Sequence, residues 1–409
     1  MINVAILGHG VVGSGVAEIL INNKELIIKN SNQDLFIKYI LDLRDFENNY
    51  KEKFTKDFKS ILNDDTIKIV AEVMGGINPA FDFVKQCLEH GKSVVTSNKE
   101  LVAEKGYELI KIANSNNVNF LFEASVGGGI PVLHPMIQCL VANEIEEVSG
   151  ILNGTTNYIL NKMIVDDMPF DDALSLAQEK GYAEKNPAAD IEGHDACRKI
   201  CILATLAFGK HVYPNQVETV GITNVTLDDV EYANAFNYVI KLIGSAKKIS
   251  ENNITASVKP TLVGHEKLLS CVNGVFNAVS VKGNATGEVL FYGKGAGKNP
   301  TASAVVSDMI ECAKNMDTKN FLTWEDGFDG YVVSDADMVS NYYVLIKADD
   351  YELLEKEFNK EFSNVKSIKN QYKKEIACIF ENITENDLKQ TLNNLNCNTD
   401  IKIFNIIGG

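Results

Sequence analysis

Residues 177–199 read AQEKGYAEKNPAADIEGHDACRK, which sets Glu184, Asp190, Asp195 and Lys199 in one short stretch. The run 200–209 that follows is uncharged throughout, and a helix apolar on all sides is normally buried. Asp195 and Lys199 are four apart, so on a helix they share a face where the chain enters the core. Ionisable groups half-withdrawn from water in this way are candidates for chemistry. The stretch alone fits a structural ion pair equally well, with Glu184 and Asp190 as helix caps, so the rest of the chain has to discriminate.

The elements that must position these groups are legible on either side. Gly181 suits the end of an amphipathic helix over 171–180, and Pro187 forces a turn, so Glu184 and Asp190 fall on a folded loop. At the start of the chain, the apolar run 2–7 leads into Gly8-His9-Gly10-Val11-Val12-Gly13 and then a helical pattern. Gly8 permits a tight turn, Gly10 lets a pyrophosphate approach the backbone, Gly13 lets helix and strand pack closely, and the helix start offers amides to phosphate. In this context the glycines read as a dinucleotide-binding turn rather than a turn without a ligand.

The next strand, 35–41, ends in Asp42-Leu43-Arg44-Asp45, where such folds read the adenosine ribose. An acidic side chain there favours the free 2′-hydroxyl of NAD, while Arg44 suits the 2′-phosphate of NADP. NADP is the expected cofactor, with NAD the alternative. Three further units follow: strands at 67–73 before Gly75-Gly76, 93–96 before Ser97-Asn98-Lys99, and 118–122 before Glu123, with helices over 79–90 and 100–114. This alternation implies an α/β fold with a doubly wound, Rossmann-like parallel sheet, whose ligands collect at the strands' carboxyl ends. Gly75, Ser97 and Lys99 lie there, so Lys99 is expected near the nicotinamide; the plainer reading is a solvated lysine at a helix start.

Taken together, these blocks resemble one family. The 177–199 segment is similar to the signature of homoserine dehydrogenases. The glycine turn, Thr96-Ser-Asn-Lys99, the segment from Glu123 to Pro131, Asn153-Gly-Thr-Thr-Asn157-Tyr158, and Gly293-Lys-Gly295-Ala-Gly297 resemble its other blocks in the same order. The resemblance covers roughly residues 1–325 and is far more specific than any single motif. It implies NAD(P)H-dependent interconversion of L-aspartate 4-semialdehyde and L-homoserine, a step towards threonine, methionine and isoleucine. By the same resemblance Lys199 and Lys99 are the catalytic lysines. Glu184 and Asp195 hold the substrate's amino end, with Asp190 supporting them in the substrate site. Gly8, His9, Gly10, Val11, Val12, Gly13, Arg44, Gly75, Ser97, Lys99, Gly181, Gly295 and Gly297 line the cofactor. A sodium ion held by Glu123 with the carbonyls of Val126, Gly128 and Ile130 is also implied, and hard oxygen donors suit it.

Composition agrees with a cytoplasmic enzyme of small molecules. A net charge of −16 over 409 residues speaks against nucleic-acid and membrane-surface partners. No apolar run reaches the ~18 residues of a membrane span. The chain opens on a core strand, so no signal peptide is expected. The eight cysteines lack a CxxC pair and read as reduced thiols; Cys197 and Cys201 near His194 read as core packing rather than as metal ligands.

Further along, the sequence predicts a strand at 147–151, a helix at 153–163, strands at 255–262, 274–281 and 287–292, and a less regular strand at 268–272. These form an α+β sheet domain for catalysis and oligomerisation, in a homodimer or homotetramer. A helix at 301–314 returns to the nucleotide domain, giving expected domains of 1–135 plus 299–325, 136–298 and 326–409. The last reads as a ferredoxin-like βαββαβ unit, similar to the ACT domain that ends many family members. Its first loop carries Asp349, Asp350 and Glu352 in place of the usual Pro-Gly turn, which argues against an amino-acid effector and for a structural role. Two other functions compete: a dehydrogenase of another small oxo-acid on the same scaffold, and a catalytically silent nucleotide sensor. The 177–199 signature opposes the first, and the intact set Glu184, Asp195, Lys199 and Lys99 opposes the second.

Overall fold

The computed structural model describes residues 1–316, 322–348, 351–362, 365–395 and 401–408. In chain order the first elements are β1 (Ile2–Leu7), α1 (Val11–Asn22), α2 (Lys24–Ser31), β2 (Leu35–Leu41), β3 (Phe54–Thr55), α3 (Lys59–Leu62), β4 (Ile67–Glu72), α4 (Ala80–Glu89), β5 (Ser93–Thr96), α5 (Lys99–Ser115) and β6 (Phe120–Leu121). There follow β7 (Ile145–Ile151), α6 (Gly154–Asp166), α7 (Phe170–Glu179), α8 (Ala188–Ile191), α9 (His194–Phe208), β8 (Glu218–Thr219), α10 (Leu227–Ala235), β9 (Tyr238–Lys248), β10 (Ile254–Gly264), β11 (Phe276–Gly283), β12 (Gly287–Lys294) and α11 (Lys298–Lys314). The chain ends with β13 (Val332–Val333), β14 (Ser340–Lys347), α12 (Tyr351–Glu361), β15 (Lys366–Asn370), β16 (Glu375–Ile383), α13 (Glu385–Asn394) and β17 (Ile401–Ile407).

These elements gather into two compact units, the first of residues 1–148, 198–216 and 278–329, the second of 149–197, 217–277 and 330–409. In the first, six parallel strands take the order β3-β2-β1-β4-β5-β6. That is the doubly wound nucleotide-binding order, with its switch point between β1 and β4. The core joins Val4 and Ile6 of β1 to Val16, Ala17 and Leu20 of α1, and to Ala302, Val305 and Met309 of α11. Gly15 makes that helix crossing close: a Cβ there would lie 2.9 Å from the Ala302 methyl.

The second unit is built on β10, every residue of which is buried. β9 pairs with it antiparallel along its whole length, and β13, β8 and β17 pair with it parallel at successive points. From β17 the antiparallel order continues β14-β16-β15. The C-terminal elements thus form a βαββαβ arrangement. Phe358 of α12 and Leu388 and Leu392 of α13 pack on Val344, Ile376 and Phe380. Tyr232 of α10 donates to Glu375 at 2.8 Å, and Lys402 pairs with Asp229 at 2.7 Å.

The segment expected as a strand at 268–272 is instead a 3-10 turn, Leu268–Cys271. The Ser270 hydroxyl donates to the Lys267 carbonyl at 2.7 Å and the Ser270 amide to the same oxygen at 3.0 Å, so local bonds displace sheet pairing. Asp349 and Asp350 lie outside the described residues; Glu352 is in the first turn of α12. No described helix is long and apolar enough to cross a membrane.

Candidate active site

The phosphate-binding turn of the first unit is shaped by its glycines. Gly8 has φ +97°, and a Cβ on Gly13 would sit 2.0 Å from the Gly8 carbonyl oxygen. A Cβ on Gly10 would meet nothing within 4 Å, and no described side chain caps α1. An open space facing uncapped helix amides fits a pyrophosphate. The His9 amide donates to Asp42 Oδ2 at 2.8 Å, and its ring packs edge-on against Phe46 and Phe54 at 4.7 and 4.9 Å. Burial pushes the His9 imidazole's pKa down. Val11 is exposed on the first residue of α1, and Val12 packs against the core.

At the end of β2, Arg44 grips Asp42 through Nε and Nη2 at 2.9 and 2.8 Å. Those bonds hold the Asp42 carboxyl far below the usual carboxylate range. Arg44 also lies over the Phe46 ring, 5.1 Å from its centroid. Asp42, Arg44, Phe46, Lys51, Phe54 and Lys56 line a cavity of about 340 Å³.

At the carboxyl ends of β4 and β5, Gly75 and Gly76 turn with φ +83° and +72°. Ser97 and Asn98 follow β5, and Lys99 is the first residue of α5, which Asn98 caps through Leu101 N at 3.1 Å. Lys199 is buried on α9. Its neighbour Arg198 pairs with Glu100 at 3.0 Å, so Lys99 and Lys199 flank a direct link between α5 and α9.

Gly128 and Gly295, far apart in sequence, meet closely: a Cβ on Gly128 would lie 2.5 Å from the Gly295 carbonyl oxygen. Gly297 is the N-cap of α11 with φ +118°. Val126, Gly128 and Ile130 lie on one turn after Glu123. The Glu123 carboxylate, however, accepts the amides of Val132, Leu133 and His134 at 2.6, 3.0 and 2.6 Å. Its side chain is therefore committed to the backbone, and its main-chain carbonyl is what it can offer a cation. Beneath it, His134 Nε2 meets Asp308 at 3.1 Å, and this contact lifts the imidazole to about 8.

In the second unit, α7 ends in the hydrogen-bond pattern of a Schellman turn. Gly181 adopts φ +73°, with Tyr182 N bonded to Ala177 O at 2.8 Å and Gly181 N to Gln178 O at 3.0 Å. The Gln178 amide donates to the Glu184 carbonyl at 3.0 Å, leaving the Glu184 carboxylate on the exposed side. Pro187 starts α8, which carries Asp190. Asn153, the N-cap of α6, accepts Thr156 N at 2.8 Å through Oδ1. Its Nδ2 donates to both Asp190 and Asp195, each at 2.7 Å. Two carboxylates from separate helices are thereby held side by side, and such a pair is suited to a ligand ammonium.

Sequence reasoning did not assign Asn153 a role, although an Asn before Gly-Thr-Thr is an N-cap signal. Glu72 and Thr96 were also unassigned. Among the described residues no group of three or more His, Cys, Asp or Glu side chains is arranged to hold a metal ion.

Residues 131–310 match the family model "Homoserine dehydrogenase", and residues 8–123 match "Homoserine dehydrogenase, NAD binding domain". The homoserine dehydrogenase of a Synechocystis strain is 44% identical over 315 residues, 76% of this chain and 72% of its own. The chain belongs to the homoserine dehydrogenase family. It is an oxidoreductase with a nicotinamide-nucleotide domain. The Bacillus subtilis homoserine dehydrogenase is 40% identical over 320 residues, 77% of this chain and 73% of its own. The crystal structure of a homoserine dehydrogenase from Thiobacillus denitrificans superposes with a TM-score of 0.88 at 32% identity, over 99% of this chain and 98% of that one. A hyperthermophilic archaeal homoserine dehydrogenase mutant in complex with NADPH matches with a TM-score of 0.64 at 28% identity, over 78% of this chain and 99% of that one.

Proposed function

We propose that this homoserine dehydrogenase interconverts L-aspartate 4-semialdehyde and L-homoserine with Lys199 and Lys99 as its catalytic lysines. Glu184, Asp190 and Asp195 bind the substrate's ammonium. The observation that carries the reading is the Asn153 amide, which joins Asp190 and Asp195 at 2.7 Å each. Bound nicotinamide nucleotide supplies the hydride. Lys199 stabilises the charge that develops on the aldehyde oxygen and delivers its proton, and Lys99 adds positive charge near the same oxygen.

The cofactor is NADP in preference to NAD, lying along Gly8, His9, Gly10, Val11, Val12 and Gly13, with Arg44 at the 2′-phosphate and Gly75, Ser97, Gly181, Gly295 and Gly297 approaching it through backbone atoms. A sodium ion, where bound, takes the carbonyls of Glu123, Val126, Gly128 and Ile130 rather than the Glu123 carboxylate. The region 136–298 serves substrate and self-association as a homodimer or homotetramer; the exposed Tyr292 on β12 is consistent with that. Residues 1–135 with 299–325 serve the nucleotide, and 326–409 act as an ACT-like structural unit. The setting is cytoplasmic threonine, methionine and isoleucine synthesis.

The deciding assay measures oxidation of NADPH and of NADH with aspartate semialdehyde against other small oxo-acids. Turnover confined to the semialdehyde and faster with NADPH is expected; equal turnover of another oxo-acid would replace the substrate assignment.

A further inference from the structure

Glu72, the last residue of β4, is fully buried, and its described partners are donors. Oε1 accepts the amides of Met74 and Gly75 at 2.8 and 3.4 Å, and Oε2 accepts the Thr96 hydroxyl at 2.6 Å. Thr96 Oγ1 in turn accepts the Asn98 amide at 2.9 Å, which leaves its proton for Glu72. Asn98 closes the ring by donating from Nδ2 to the Gly76 carbonyl at 2.6 Å, while its Oδ1 caps α5. Burial pushes the Glu72 carboxyl up, opposed by these hydrogen bonds. Oε1 faces two N–H groups and so works as an acceptor in either protonation state.

The ring matters because of what it joins. Gly75 and Gly76 both have positive φ with open space where a Cβ would be, so nothing in their own side chains fixes that turn. On the other side of the ring, Lys99 follows Asn98 directly. A glutamine at 72 could keep Oε1 on the two amides only by turning its N–H onto Thr96 Oγ1 and displacing the hydroxyl proton, and an aspartate, one methylene shorter, would not reach both the Met74 amide and the Thr96 hydroxyl.

We propose that Glu72 is a positioning residue for the reaction: an acceptor side chain that locks the Gly75–Gly76 turn to the start of α5 and so fixes where Lys99 presents its ammonium. The proposal rests on the reading of Lys99 as a catalytic residue. It is tested with Glu72→Gln, Thr96→Val, the double variant, Thr96→Ser and Lys99→Ala, each followed for melting, NADPH binding and turnover.

Glu72→Gln and Thr96→Val are expected to lose about tenfold to a hundredfold in kcat, the scale of a displaced reacting group, and distinctly less in NADPH affinity, since the Gly75 turn also borders the nucleotide. The double variant should be little worse than either single one, because both break one ring. Thr96→Ser, which keeps the hydroxyl, should recover turnover relative to Thr96→Val. If Glu72→Gln does not fold, the Val and Ser variants of Thr96 decide. Parent-like kcat in the folded ring variants beside an inactive Lys99→Ala would overturn the proposal alone, as would parallel losses of NADPH binding and kcat. A nearly active Lys99→Ala would overturn the reading beneath it as well.

Discussion

Arg44 takes up most of the acceptor capacity of Asp42 while the rest of its guanidinium stays exposed. Oδ1 of Asp42 accepts Arg44 N and Nε, and Oδ2 accepts Arg44 Nη2 and the His9 amide. A carboxylate has about four lone-pair sites, so while Arg44 stays in place little is left for the ribose hydroxyls of NAD. The acidic residue at the strand end, usually a mark of NAD, here aligns the guanidinium and tethers the phosphate turn.

Arg44→Ala should therefore weaken NADPH far more than NADH, since only NADPH carries the 2′-phosphate. Asp42→Asn should weaken NADPH too, because the amide both frees Arg44 and loosens the hold on His9. Equilibrium binding of both nucleotides to each variant checks this. Tighter NADPH binding by Asp42→Asn would mean that Asp42 opposes the phosphate instead of serving it.

Lys199→Ala is expected to fold and to lose turnover by about 10²–10⁴, the usual contribution of a positioned proton donor. Near-parent kcat in the folded variant would return Lys199 to a structural ion pair. Kinetics in both directions, homoserine oxidation and semialdehyde reduction, should show the same loss.

Glu184→Gln and Asn153→Ala should act on binding more than on turnover. The first removes a charge from the ammonium site; the second leaves Asp190 and Asp195 without the amide that holds them together. Each is expected to raise KM for homoserine with a smaller change in kcat, the signature of lost ground-state binding. An unchanged KM in either would reject its role.

How much of this was readable from sequence follows the range of the forces involved. The glycine turn, the ends of β4 and β5 and the alternation of strand and helix are written locally, and so is the helix end at Gly181. β9 was not read, since Lys241 interrupts its apolar pattern. That lysine is buried and donates to the Val272 carbonyl at 2.6 Å, a partner 31 residues away. The inward turn of Glu123 was equally hidden, because its partners are backbone amides that carry no side-chain signature. α10 did carry a local signal, a capping box between Thr226 and Asp229. The Leu268–Cys271 turn misled because its apolar residues suggested a strand while the serine's local bonds decided the outcome.

His211 gives an acid-stability test. It is buried, donates from Nε2 to the Ala103 carbonyl at 3.0 Å, and its ring lies 5.9 Å from the ring of Trp324. Burial pushes it down to about 4 from an ordinary 6.5. A histidine with a lowered folded pKa contributes stability that is complete above the unfolded value and is lost as pH falls through the folded one. The loss should therefore develop between pH 6.5 and 4, on the order of 3 kcal/mol for this group. Trp324 is the chain's single tryptophan, so its emission reports on the region. Denaturant midpoints that stay flat over that window would refute the assignment, and His211→Gln should flatten them.

The C-terminal elements should behave as a brace and not as a threonine sensor. β17 pairs with β10 at Thr261, Leu262 and Val263, Lys402 neutralises the buried Asp229, and Lys259 of β10 meets Asp335 at 2.9 Å. Cutting the chain before residue 330 removes all of these at once and exposes an edge of β10, so the truncated protein should unfold earlier and aggregate. Lys402→Met tests one residue of the brace: it removes the ammonium from the buried Asp229, which keeps Thr226 N and Oγ1 as donors, and a lowered denaturant midpoint is expected. Threonine added at millimolar concentration to the full-length enzyme should leave the rate unchanged, since the sequence carries Asp349, Asp350 and Glu352 directly after the β14 segment and three carboxylates would repel a ligand carboxylate. Clear inhibition by millimolar threonine that disappears when the chain is cut at residue 326 would refute this.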